Sequence, residues 1–352
     1  MKTYIYKAVA GVCSLMLLMS SCESFLSEEP KDFLSPENLP NTEAECNMLL
    51  MGSLSYWRSN NFERHINFIA EATTDAVVSA TANNVARDEM NSLTWQSDNE
   101  SLYKPWQQFY ACINASNIMI EKVPNASKVS DEVKTRYVAA ARYMRAMSYF
   151  YLVRIFNDVI YLDTPVNDFT SANNMTKTPA KEIYNKIVED LEYAEANLPV
   201  KWDSGTERPT VAAAKSLLSW VYITMAGEQV KDNTMWAKTA SKAKEVIDNA
   251  ATYGIKLEEN YADLWLVNNR YNKESIFALN FADGLGDNQS VTPIQQRYGF
   301  FITTDSRLSL CCGSKHRHLA KFRRQMPAST DPIFQKSLPA HNHQGQPLLH
   351  ES

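Results

Sequence analysis

The chain has 352 residues, a formal net charge of −5 and 45% hydrophobic residues, ample for a sizeable core. Beyond its first segment no apolar run approaches the roughly 20 residues that a helix needs to span a bilayer, so the body is expected to lie outside the membrane. Cys46, Cys112, Cys311 and Cys312 form no paired-spacing framework, so nothing calls for a disulfide scaffold.

The chain opens with Lys2 and Lys7, an apolar stretch over residues 8–19, and then Met19-Ser20-Ser21-Cys22. About a dozen apolar residues is too short for a spanning helix and has the length of an export-signal core. Small residues before a cysteine suit a peptidase acting on a diacylglycerol-modified thiol. Residues 1–21 therefore read as a lipoprotein signal peptide and Cys22 as the lipidated first residue of the mature chain. Met19 stands where such signals more often carry Leu; simple secretion with cleavage nearby, or a buried helix in place of a signal, are the alternatives. At roughly 0.8 kcal/mol per buried CH₂, several acyl chains hold a protein stably on a membrane.

Only ten glycines occur and period-two alternation is scarce, so residues 22–306 are predicted to be all-α. Residues 43–57, 62–78 and 105–123 read as helices. Tyr137, Ala141, Met144, Ser148, Tyr151 and Ile155 recur at steps of three and four and predict a long helix over 131–156. Thr178-Pro179 offers a cap and a first-turn proline ahead of Ile183, Ile187, Leu191, Ala194 and Leu198, a stripe that stops at Pro199. Val211, Ala214, Leu218, Val221 and Met225 form a third stripe, and Trp236, Ala240, Ala243, Ile247 and Ala250 a fourth. Paired amphipathic helices with small residues at contact positions predict tetratricopeptide-like hairpins, although no clean 34-residue repeat occurs. Residues 79–96, 157–177 and 199–209 read as loops able to gather ligand-facing side chains.

The composition breaks near residue 306. Residues 22–306 carry a net charge of −12, whereas residues 307–352 hold seven Lys or Arg against two acids, and five of the six histidines. Cys311, Cys312 and the His-x-His pairs at 316/318 and 341/343 could supply metal ligands, but their spacing fits no familiar zinc framework. A nucleic-acid arm is at odds with export. The favoured expectation is a divergent basic tail outside the folded unit, standing where the C-terminal portion of the fold is missing or replaced.

Several blocks resemble, in order, the SusD/RagB lipoproteins that bind nutrients at the surface of Bacteroidetes cells. Cys22-Glu23-Ser24-Phe25-Leu26 with Glu28-Glu29-Pro30 resembles that family's start, and Glu71 and Asp75 its early acidic motif. Trp106, Tyr110, Ile113 and Asn117 resemble its next helix. The longest block runs through residues 141–153 and on to Phe156-Asn157-Asp158-Val159. Arg208-Pro209-Thr210 with Ala212-Ala213-Ala214, then Trp236, Ala237 and Ala243, and finally residues 261–265 with Glu274-Ser275-Ile276-Phe277 complete a likeness over about 22–281. Asn157 stands where the family usually has Gly and Ile160 where it has Pro; Asn can occupy a left-handed helix end, so the turn is expected to survive.

The resemblance implies a SusD-like fold, a lipid anchor at Cys22, an outer-membrane and cell-surface location, and docking to a SusC-like TonB-dependent transporter. It also implies loops that hold a glycan or other nutrient. A sugar's C–H face stacks on an aromatic ring, so Trp95 with Asn99, and Trp202, are the candidate ligand contacts. Trp57, Trp106, Trp220, Trp236 and Trp265 lie on helical stripes and are expected in the core. No catalytic constellation, cofactor motif or metal set stands out. Glu71 and Asp75 could be imagined as a glycosidase pair but read as a solvated face, and His65 reads as structural. A helical scaffold that only docks a partner is the alternative to ligand binding.

Overall fold

The computed structural model describes residues 40–59, 65–66, 68–74, 84–166, 175–203, 208–266, 269, 272–279, 300–302 and 308–310. Cys22, Asp75, Cys311, Cys312 and the tail histidines lie outside them. The chain divides into two compact units. Among the described residues, the first comprises 40–55, Phe109–Lys256 and Lys273–Ala278; the second comprises those within Tyr56–Gln108 and Leu257–Asn272, together with Leu279, 300–302 and 308–310.

The first unit begins with α1 (Glu43–Ser55). Its start is a capping box: Thr42 Oγ1 accepts from the Glu45 N–H at 3.3 Å, and a Glu45 carboxylate oxygen accepts from the Thr42 N–H at 3.0 Å. Further along the chain come α2 (Val85–Ser92) and α3 (Glu100–Lys122), the latter giving its first residues to the second unit and the rest, from Phe109, to the first. Four helices dominate thereafter: α4 (Asp131–Phe156), α5 (Ala180–Asn197), α6 (Val211–Ala226) and α7 (Met235–Asp248). Each packs on the next.

Side-chain pairs fix their directions. Phe150 meets Tyr184 while Arg145 meets Asp190, so α4 and α5 run antiparallel. Tyr222 reaches Glu192 while Lys215 reaches Glu195. Ser219 bonds Thr239 and Lys215 bonds Glu245, so α6 and α7 reverse in turn. Two helical hairpins stack, as the periodicity predicts. Helix α4 is buried on nearly every face, and Tyr149, Phe150 and Tyr184 are among the largest enclosed side chains, each worth about 1.5–3 kcal/mol of burial.

Differences from the sequence expectations have physical causes. Residues 85–92, expected as loop, form α2, because Asn84 caps the Arg87 N–H and Met90 supplies a buried anchor beside Phe68 and Ala72. Helix α3 starts at Glu100 rather than Pro105, with the Asn99 Oδ1 accepting from the Ser101 N–H at 2.8 Å. The described part of 62–78 holds a π-helical turn, Phe68–Ala72. The cap on α5 comes not from Thr178 but from Asp158, whose Oδ1 accepts from the Ala180 N–H at 2.8 Å.

Of the tryptophans expected in the core, Trp57 is buried and Trp106 partly so, but Trp220 and Trp236 are 45% and 51% exposed. On α7 the apolar stripe is not the packing face; Thr239, Lys242, Glu245 and Val246 occupy that side. A short α8 (Ala250–Tyr253) and a 3₁₀ turn (Tyr261–Trp265) follow. Beyond them, β1 (Phe300–Ile302) and β2 (Leu308–Leu310) pair antiparallel.

Candidate functional site

Trp95 lies in the second unit, in the loop of residues 93–99 between α2 and α3, and is 38% exposed. The loop is fastened at both ends. At its start, Leu93 adopts φ 58 and ψ 34, and its N–H meets the Glu89 and Met90 carbonyls. A branched residue in this left-handed position carries strain that glycine would avoid. The Thr94 N–H donates to the Glu89 carbonyl at 2.9 Å, and the Ser92 and Thr94 hydroxyls lie 2.8 Å apart.

At the other end, Asn99 is 4% exposed and fully engaged. Its Nδ2 donates to Glu89 Oε2 at 2.7 Å and to the Ala86 carbonyl at 3.0 Å, while its Oδ1 caps α3. Asn99 thus ties α2 to the start of α3 and sets the loop on which Trp95 stands. His65, in the same unit, is buried against Ser101 Oγ at 3.2 Å and edge-on to Phe68, the structural role expected of it.

Trp202 belongs to the first unit and is 5% exposed. Its Nε1 donates to the Pro209 carbonyl at 2.7 Å, and its ring lies among Tyr137, Arg136 and Arg208, with the guanidinium of Arg208 5.2 Å from the ring centroid. This ties Trp202 to Arg208 and Pro209. The three nominated residues are therefore not brought together: Trp95 and Asn99 share one loop, and Trp202 is an enclosed anchor in the other unit.

A buried polar clamp shapes the loop after α4. Arg145 bonds Asp190 at two points, 2.7 and 2.8 Å, and Asn117 Oδ1 at 2.8 Å. Asn117 Nδ2 donates to the Leu162 and Thr164 carbonyls, each at 3.0 Å, and the Tyr110 hydroxyl donates to the Ile160 carbonyl at 2.8 Å. Tyr149 bonds both backbone groups of Leu162, and burial pushes its phenol well above the usual range. These residues hold 160–166 in one path. The helix-end turn exists with φ 61 at Asn157, yet ψ is −110, outside the left-handed helical well. Its side chain holds it there, donating to Asp158 Oδ1 at 3.0 Å and accepting from Gln229 Nε2 at 3.1 Å.

Among the described residues no cluster of three or more His, Cys, Asp or Glu could hold a metal ion, and no helix is long and apolar enough to cross a membrane. Residues 24–223 match the SusD-like family model described as starch-binding and associating with the outer membrane. The chain belongs to the SusD-like family.

Curated relatives agree. A SusD-like protein P2 of Formosa agariphila is 32% identical over 274 residues, which cover 76% of this chain and 51% of that protein. A SusD-like protein of Bacteroides ovatus is 32% identical over 51% of this chain and 33% of its own length. The chain spans about half the length of the curated relatives it matches first. Among solved structures, a SusD homolog from Bacteroides thetaiotaomicron aligns with a TM-score of 0.63 at 23% identity, covering 72% of this chain and 50% of that one. A laminarin-binding SusD-like protein aligns with a TM-score of 0.61 at 26% identity, covering 69% and 52%. The helical, SusD-like fold that the sequence implies is thereby established, with β1 and β2 as its strands among the described residues.

Proposed function

We propose that this SusD-like chain captures glycan at the outer membrane, held there by lipid on Cys22, and delivers it to a SusC-like TonB-dependent transporter. Trp95 is the stacking platform. The observation that carries this reading is an exposed tryptophan on a loop clamped at both ends, in a chain whose family model is described as starch-binding and whose structural neighbours include a laminarin-binding protein. A ring carried on a loop whose ends are already fastened meets a sugar with less backbone left to order. The chain is read as a binder rather than a hydrolase, with no nucleic-acid partner and no cofactor.

Titration calorimetry of the full chain against a panel of neutral and acidic polysaccharides tests the proposal. Trp95→Ala removes about 1.5–3 kcal/mol of aromatic burial, a loss of roughly ten- to a hundredfold in affinity for the glycan bound. An isotherm indifferent to Trp95→Ala would remove the site assignment. Cys22→Ala should abolish incorporation of labelled palmitate and release the protein from the membrane fraction, and copurification of a large outer-membrane barrel should follow the anchored form.

A further inference from the structure

A second set of binding groups converges in the first unit, apart from Trp95. An open cleft of about 550 Å³ lies where α5 ends, α6 starts and α8 follows α7, a volume in the range of small-ligand sites. Ala196, Val200 and Val211 give it an apolar lining, and Tyr253 adds an aromatic ring. The chain ends α8 immediately after Tyr253. Gly254 takes φ 70, and its N–H closes onto the Ala250 and Ala251 carbonyls, a conformation that suits a residue without Cβ.

Polar groups with capacity to spare face the same space. Asn249 donates through Nδ2 to the Glu245 carbonyl at 2.8 Å, which leaves its Oδ1 as an acceptor. Glu192 accepts from the Tyr222 hydroxyl at Oε1, 3.2 Å away, which leaves Oε2. Thr252 adds a hydroxyl.

Charge narrows the choice of ligand. Lys215 also lines the cleft, but it is committed to Glu195 at 3.2 Å and to Glu245. Lys242 likewise pairs with Glu195 at 3.0 Å and Glu245 at 3.2 Å. Two lysines offset two carboxylates, and Glu192 adds a further negative charge. Among the described lining residues no cation is left uncommitted, so an acidic sugar would meet the Glu192 carboxylate unanswered, whereas hydroxyls find acceptors.

We infer that this cleft is a second glycan subsite that takes a neutral pyranose unit, with the Tyr253 ring against its C–H face and Glu192 and Asn249 accepting from its hydroxyls. The inference shares with the Trp95 reading only the class of ligand; the residues are separate.

Saturation-transfer NMR on the full chain, with methyl glucoside, methyl galactoside, methyl mannoside and methyl glucuronide as probes, tests it. At least one neutral glycoside should receive saturation. Tyr253→Ala should weaken that binding about two- to tenfold and Tyr253→Phe should preserve it. Glu192→Gln should weaken it too, while Trp95→Ala leaves it in place. All four substitutions are at solvent-accessible positions, and circular dichroism confirms folding. Loss with Trp95→Ala alone would overturn the cleft and support the loop. Loss with Tyr253→Ala alone would support the cleft and count against the loop for that sugar. Glucuronide bound as well as its neutral counterpart, or no glycoside bound at all, would overturn the subsite.

Discussion

Arg145 of α4 and Asp190 of α5 form a two-point ion pair with side chains 7% and 5% exposed. Arg142 stands 3.6 Å from the same carboxylate, with its guanidinium 4.2 Å from the Tyr193 ring centroid. Through Asn117 the pair also reaches α3 and the 160–166 path, so one buried carboxylate organises three helices and a loop. Removing Arg145 leaves the buried carboxylate with only the longer contact to the partly exposed Arg142. Arg145→Met is therefore expected to cost about 3–5 kcal/mol, and Arg145→Met with Asp190→Leu to cost less than Arg145→Met alone. Urea denaturation followed by circular dichroism measures both; a midpoint unmoved by Arg145→Met would show that the clamp contributes nothing.

Asn157 sets the turn out of α4 at φ 61. A residue with a Cβ held in so sparsely populated a backbone region costs about 1–3 kcal/mol, which the bonds to Gln229 and Asp158 offset here. Asn157→Ala loses the bonds and keeps the strain, while Asn157→Gly loses both. The expected order of melting temperatures is Asn157→Gly level with the native chain and Asn157→Ala about 2–4 °C lower. An alanine variant as stable as the native chain would remove this account.

The hairpin array was legible because Ile183, Ile187, Leu191 and Ala194 on α5, and Ala214, Leu218, Val221 and Met225 on α6, are all buried in the positions their spacing marks. Helix α7 misled because its apolar stripe of Trp236, Ala240 and Ile247 is exposed and its neighbour is held by Lys242 and Glu245; periodicity of apolar residues cannot register a face that packs through ion pairs. Asn99 and Trp202 stand out in the sequence as polar and aromatic residues in loops, yet a loop residue that binds ligand and one that fastens the loop look alike in sequence. Only the direction of the Asn99 amide, toward Glu89 and Ser101, separates them. The cleft at Tyr253 joins residues some 60 positions apart, and its one local signal is the Tyr253-Gly254 helix stop.

The ion network of Glu195, Lys215, Lys242 and Glu245 makes stability depend on pH with a definite sign. The hydrogen bond from Lys215 holds the Glu245 carboxyl below its ordinary 4.5, so its contribution is full above 4.5 and is lost as pH falls through the lowered folded value. Burial opposes the charge on Lys215, but its bonds to Glu245 and Glu195 prevail and its pKa rises, so that contribution is lost only above about 10.5. Melting temperatures of the native chain and Glu245→Gln should converge as pH falls below 4.5 and stay apart at neutral pH. Parallel curves through the acid range would contradict the network's role.

Cys46 sits fully buried on α1, one residue after the capping glutamate. Burial, followed by the nearby Glu43 and Glu45 carboxylates, pushes its thiol up to about 11. Since the thiolate is the reactive form, Cys46 should resist iodoacetamide at neutral pH in the folded protein and react readily in urea. Peptide mass mapping distinguishes it from the other cysteines. The capping box governs how often α1 opens: Thr42→Ala removes an N-cap worth about 1 kcal/mol, roughly a fivefold rise in the open population. Labelling of Cys46 should accelerate by that factor while the Arg145–Asp190 clamp, reported by the urea midpoint, moves far less. Labelling as fast in the native chain as in urea would mean that α1 does not enclose the thiol at all.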